Sequence, residues 1–92
     1  MKFRVEKSFD RDVGKIDDKK LLRKVQALIS EIGRTENISE ITNTKKMEGC
    51  GSFYRVKIGD YRLGMELTPE NEIVLIRFLH RKEVYRYFPK RK

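Results

Sequence analysis

Phe53-Tyr54-Arg55-Val56-Lys57-Ile58-Gly59-Asp60-Tyr61-Arg62-Leu63-Gly64-Met65-Glu66-Leu67 is the stretch on which the fold turns. Apolar and polar residues alternate with period two on both sides of Gly59-Asp60, a pair suited to a two-residue hairpin turn. Such a turn fixes the register. Ile58 faces Tyr61, Lys57 faces Arg62, Val56 faces Leu63 and Arg55 faces Gly64. One face then carries Tyr54, Val56, Ile58, Tyr61, Leu63 and Met65, an apolar set that requires cover. The other carries Phe53, Arg55, Lys57 and Arg62. Two cations directly opposite one another, Lys57 and Arg62, disfavour the pairing, and a sequence optimised for stability alone would place an acid at one of them.

Towards the C-terminus, Thr68-Pro69-Glu70-Asn71-Glu72 reads as a second turn. Ile73-Val74-Leu75-Ile76-Arg77-Phe78-Leu79 is almost continuously apolar, the mark of a central strand covered by a helix. From His80 to Lys92 the chain carries Arg81, Lys82, Arg86, Lys90, Arg91 and Lys92 against one acid, Glu83.

Towards the N-terminus, residues 34–52 are polar and read as a loop, with Ile38 and Ile41 anchoring a short helical turn. Before it, Leu21, Leu22, Val25, Leu28, Ile29 and Ile32 recur on one face of an α-helix. Asp17 and Asp18 lie at its positive end, and Gly33 is expected to end it. A shorter helix capped by Ser8 or Asp10 and broken near Gly14 precedes it. Lys2 to Ser8 alternates as a strand with Phe3 and Val5 facing inward. The expected fold class is therefore α+β. It comprises an N-terminal strand, a helical hairpin and a three-stranded antiparallel meander, in one twisted sheet packed on the helices.

At 92 residues the chain supports one domain, residues 1–92. Charged residues make up 39%, against about 25% in an ordinary soluble domain. The formal net charge of +8 creates a positive field that attracts phosphate backbones, anionic membranes or an acidic protein. Cys50 is the only cysteine and His80 the only histidine, which excludes an intramolecular disulfide and a structural zinc site built from these residue types. The opening residues lack the apolar region of a signal peptide, and no apolar run reaches the roughly 20 residues of a membrane span. The expected location is the reducing cytoplasm, with no membrane contact.

Arg55, Lys57 and Arg62 on one sheet face, with Phe53 beside them and Gly64 leaving space, suit a phosphate seat with a stacking platform. A solvated sheet face would also carry outward cations. The following segment adds groups able to transfer protons, His80 and Tyr85, with Tyr87 as a further ring. Cutting RNA without a metal requires removal of the 2′-OH proton, stabilisation of the phosphorane charge and protonation of the leaving 5′-oxygen. Arg55, Lys57, Arg62 and Arg81 meet the second need. His80, Tyr85 or Lys57 are the candidates for the others. No cofactor and no metal are expected.

The stretch from Phe53 to Leu63, the apolar strand and His80-Arg81-Lys82-Glu83-Val84-Tyr85-Arg86 together resemble the RelE/ParE superfamily of type II toxins, over nearly the whole chain. Within it, the RelE-like branch is the better match. That resemblance implies a metal-independent endoribonuclease that cleaves mRNA, usually on the ribosome, inhibits translation and is neutralised by a cognate antitoxin. It implies that Arg55 and Lys57 match the basic pair of the first hairpin strand and that Arg62 matches the phosphate-holding arginine. Arg81 and Tyr85 match the C-terminal arginine and tyrosine, and His80 matches a histidine present in several branches. Lys45, Lys46, Phe53, Lys82, Arg86 and Tyr87 are the expected RNA contacts around them. Arg55 departs from the pattern, since some active members carry a lysine there and arginine is a poor general base. Two other readings share the fold: a ParE-like, non-catalytic inhibitor of DNA gyrase, and an inactive toxin-fold binding protein.

Overall fold

The hairpin forms with the expected register. In the computed structural model, which describes residues 1–47, 49 and 51–89, β3 (Phe53–Ile58) and β4 (Tyr61–Leu67) pair Ile58 with Tyr61, Lys57 with Arg62, Val56 with Leu63 and Arg55 with Gly64. Gly59 has φ +58° while Asp60 stays at negative φ, the pattern of a type II′ turn, whose twist matches that of the flanking strands. Cys50 and the basic residues Lys90, Arg91 and Lys92 lie outside the described residues.

β5 (Ile73–His80) runs antiparallel to β4, which completes the meander. β1 (Phe3–Val5) adds to the other edge of β5 in parallel. The meander is thus the centre of a five-stranded mixed sheet of order β1-β5-β4-β3-β2. Its fifth member, β2 (Thr44–Lys46), lies inside the segment expected to be a loop and pairs antiparallel with β3. Neighbouring turn residues do not hide this strand from the backbone. Asn43, at φ +63°, reverses the chain after the 3₁₀ turn Ile38–Glu40, and its carbonyl accepts from the Lys57 amide.

α2 (Lys19–Arg34) buries Val25, Leu28 and Ile32 against the apolar face of the hairpin. Each of these side chains contributes about 1.5–3 kcal/mol on burial. Asp18 caps the helix by accepting from the amides of Lys20 and Leu21. Gly33 does not end it: the helix continues to Arg34 and Thr35 is the C-cap, because a glycine inside a turn that is already paid for by packing costs too little to stop it. α1 (Lys7–Gly14) starts from Glu6 with no side-chain cap, so neither Ser8 nor Asp10 caps it. Val5 is 38% exposed rather than inward, since β1 is an edge strand with only Phe3 packed on the core.

β5 explains why the apolar run is continuous. Ile73, Leu75 and Phe78 belong to the main core beneath the helices. Val74 and Ile76 belong to a smaller core on the opposite face, under α3 (Val84–Tyr87), together with Val84 and Phe88. The pairing with β4 passes from Met65–Leu75 to Gly64–Arg77, so Ile76 has no partner on β4 and forms a bulge. β1 reaches only Leu75. Beyond it, α1 takes over the free edge: the Ser8 hydroxyl donates to the Ile76 carbonyl at 2.6 Å, and the Asp12 carboxylate accepts from the Phe78 amide at 2.9 Å.

Candidate nucleic-acid interface

Register places the cations. β2 sets Lys45 opposite Arg55, and the same row continues through Gly64 to Arg77. The next row on this face is Lys57 and Arg62. Directly opposed side chains in an antiparallel pair stand about 5 Å apart at Cβ. Two like-charged pairs therefore lie side by side on the face away from α2. Lys45 and Lys57 are exposed, and Arg55 and Arg62 half-buried.

Arg62 is held in place. Its Nη1 donates to the carbonyls of Gly59 at 3.0 Å and Tyr61 at 2.9 Å, so the guanidinium folds back over the hairpin turn. An arginine fixed by its own turn loses little further freedom when it takes a phosphate.

The space expected at Gly64 is filled. A Cβ at this position would lie 2.7–2.8 Å from three ring atoms of Phe88, which is 1% exposed. Phe53 meets the edge of that ring at a centroid distance of 5.5 Å and is packed with Met47 against the small core. The glycine thus admits an aromatic anchor of the C-terminal segment in place of a ligand.

That anchor positions α3. Val84 and Phe88 point into the sheet, while Tyr85 and Tyr87 are 57% and 45% exposed. Tyr85 borders an open cleft of about 400 Å³ with Lys45, Lys46, Met47 and Arg55. Lys46 itself pairs with Tyr54 and so starts from the opposite face of β2. Lys82 and Arg86 are exposed on the same C-terminal segment.

Two expected members stand apart. His80 pairs with Tyr61 on the face of α2, away from Arg55, Lys57 and Arg62, and its ring lies edge-on to Tyr61 at 5.4 Å. Its Nδ1 accepts from the Lys82 amide at 3.1 Å, so the neutral ring presents Nε2–H, a donor. Arg81 sits by the hairpin turn, where its amide donates to the Asp60 carbonyl at 2.8 Å and its guanidinium reaches the Asp60 carboxylate at 3.8 Å. Both side chains are largely exposed, and the pair holds Arg81 weakly.

Asp12 and Arg77 escaped the sequence reading. Asp12 is 5% exposed and accepts from Arg77 Nε at 2.8 Å and Nη2 at 3.1 Å, besides the Phe78 amide. Hydrogen bonding to Asp12 raises the pKa of Arg77 further above its ordinary value, against the lowering by burial. The guanidinium carbon lies 5.5 Å from the centre of the Tyr87 ring. One signal was available: Arg77 interrupts an otherwise apolar strand, and a charge there needs a partner. Among the described residues, no three His, Cys, Asp or Glu side chains are grouped to hold a metal ion, and no helix is long and apolar enough to cross a membrane.

A small α+β protein with a cationic sheet face and a C-terminal aromatic segment docked beside it defines the class. The chain belongs to the ParE toxin family of type II toxin-antitoxin systems (parDE), which matches residues 3–85. It is thus the toxin of such a system and a RelE homologue. It is 30% identical over 90 residues to Toxin RelE3 of Methanocaldococcus jannaschii, covering 97% of this chain and 100% of that one. A chain of the RelB-RelE antitoxin-toxin complex from Methanococcus jannaschii superposes with a TM-score of 0.79 at 28% identity, covering 97% of this chain and 100% of that chain. A chain of the archaeal RelE-RelB complex from Pyrococcus horikoshii shares the fold at a TM-score of 0.71 and 19% identity, over 90% of this chain and 97% of that chain.

Proposed function

We propose that this toxin is an endoribonuclease that cleaves mRNA in the cytoplasm, without a metal and on the ribosome, and is silenced by a cognate antitoxin. The observation that carries the reading is the cationic face, with Arg55 between Lys45 and Gly64 in one row, Lys57 opposite Arg62 in the next, and Tyr85 at its rim. The cations neutralise the scissile phosphate and the charge that develops on it in the phosphorane. Arg62, fixed by the turn carbonyls, is the phosphate holder. Arg55 and Lys57 flank it, and Arg81 approaches from the turn. Lys57 and Tyr85 are the candidates for proton transfer on this face. His80, on the other face with Nε2–H outward, serves as a hydrogen-bond donor. Lys45, Lys46, Phe53, Lys82, Arg86 and Tyr87 form the surrounding RNA surface. The antitoxin proposal rests on the complexes in which the similar toxins are found. An acidic segment would cover the cations and close the face.

Induced expression without an antitoxin tests this. Translation arrest with new 5′ ends mapped inside coding regions is expected, and loss of both on Arg62→Ala. Growth arrest with intact messages would overturn it.

The family match favours a second reading, a non-catalytic inhibitor of DNA gyrase, because the family carries the ParE name. A supercoiling assay separates the two: inhibition of purified gyrase with no RNA cleavage selects the second.

A further inference from the structure

α3 is a single helical turn with two exposed tyrosines at i and i+2. At about 100° per residue, their directions differ by about 200°, so the two rings leave the helix on opposite flanks. Tyr85 leans toward β2 and the cleft with Arg55. Tyr87 leans the other way, toward α1, and borders a second cleft of about 370 Å³ with Asp12, Lys15, Arg77, His80 and Glu83.

The second cleft is rich in oriented donors. Asp12 engages Nε and Nη2 of Arg77, and the Nη1 group has no hydrogen-bond partner among the described residues. The Lys82 amide occupies His80 Nδ1 and leaves Nε2–H as the free group. Lys15 is exposed and adds an ammonium. Glu83 supplies one acceptor, and Tyr87 supplies a ring that Arg77 supports from below at 5.5 Å. Two carboxylates in the walls repel a bare phosphate. An unpaired nucleobase suits all of these groups together, because its edge carries both acceptors and donors and its flat face stacks on tyrosine.

We infer that the cleft between α1 and α3 is a second base seat for the RNA strand, with Tyr87 as the stacking face, Arg77 and its positioning residue Asp12 holding that ring from the opposite side, and His80 Nε2–H and the Lys15 ammonium as the edge donors. A strand crossing α3 places one base on the Tyr85 flank and another on the Tyr87 flank. This inference rests on the RNA-cleaving reading but involves residues that do not share its phosphate seat.

The test is a binding cycle with a 2′-O-methylated RNA hexamer, which cannot be cleaved, and a set of hexamers each abasic at one position. Removing a stacked base or its ring costs on the order of 10-fold in affinity. One abasic position should weaken binding to the intact protein and have no effect on Tyr87→Ala. The position sensitive to Tyr85→Ala should be a different one. In the same titration, Arg77 Nε–H and the Tyr87 ring should shift in NMR spectra. If every abasic penalty survives Tyr87→Ala while Arg62→Ala abolishes binding, the second seat is wrong and the phosphate seat stands. If the hexamer does not bind the intact protein, the second seat falls, while the cleavage reading is decided separately by the 5′ ends mapped in cells. Shifts of Arg77 and Tyr87 produced by an antitoxin peptide but not by the hexamer would also overturn the seat, and would assign the cleft to protein.

Discussion

Replacing Gly64 by alanine sets two effects of opposite sign against each other. In an open strand position, alanine in place of glycine stabilises by about 0.5–1 kcal/mol, because the unfolded chain loses freedom. Here the new methyl would stand 2.7–2.8 Å from three atoms of the Phe88 ring. That ring is 1% exposed and bounded by Phe53, so it has little room to retreat. Overpacking of this kind costs about 1–3 kcal/mol. The net expectation is destabilisation by about 1–2 kcal/mol. For a domain of this size, that is a fall in Tm of about 4–16 °C, read by circular dichroism. The contact is pairwise, so a smaller partner should relieve it. Gly64→Ala with Phe88→Leu should be more stable than the sum of the single changes requires, with a coupling of about 0.5–3 kcal/mol. An unchanged or raised Tm for Gly64→Ala would refute the reasoning, since Phe88 would then not be seated on the glycine.

Other perturbations read other parts of the structure. Arg62→Ala should abolish RNA cleavage while changing stability by less than about 1 kcal/mol, because its partners are two carbonyls at the hairpin turn, one exposed and one part-buried; activity and unfolding assays check the two halves separately. Lys57→Glu should stabilise the hairpin by about 0.2–1 kcal/mol through a cross-strand pair with Arg62, and should eliminate RNA binding, a sign reversal visible by comparing Tm with a filter-binding assay. Asp12→Ala should cost about 3 kcal/mol in denaturant unfolding, because it leaves Arg77 and the Phe78 amide without their acceptor. The raised pKa of Arg77 means that its side of this pair contributes fully at any pH below the ordinary range of arginine and is lost only as pH climbs through the folded value, so its contribution should be flat from pH 6 to 10.

The hairpin was legible because a two-residue turn leaves only one register that buries Val56, Ile58, Leu63 and Met65 together. Arg55, Lys57 and Arg62 came together for the same reason. β2 was not legible: three residues, Thr44 to Lys46, carry no alternation of their own and become a strand only because β3 offers an open edge. The face that His80 takes was not legible, because it depends on one residue of phase. Plain alternation from Ile73 turns His80 to the face of Val74, beside the cations, whereas the bulge at Ile76 returns Phe78 to the main core and sets His80 with Tyr61. Of the C-terminal residues that the family resemblance indicates, Tyr85 borders the cleft with Arg55, whereas His80 and Arg81 stand apart from it. It carried no information on Asp12 or Phe88, whose importance arises from contacts between elements far apart in the chain.

The paired cations have a thermodynamic consequence for the uncomplexed molecule. Lys45 against Arg55 and Lys57 against Arg62 are repulsions built into the sheet, and the free protein carries their cost. A polyanion laid across the face cancels that cost as it binds, so occupancy and unfolding resistance rise together by linkage. The melting temperature therefore serves as a gauge of whether the face is covered. It should climb with added salt in the free protein, where screening softens the repulsion, and depend much less on salt once an acidic partner has taken the salt's place.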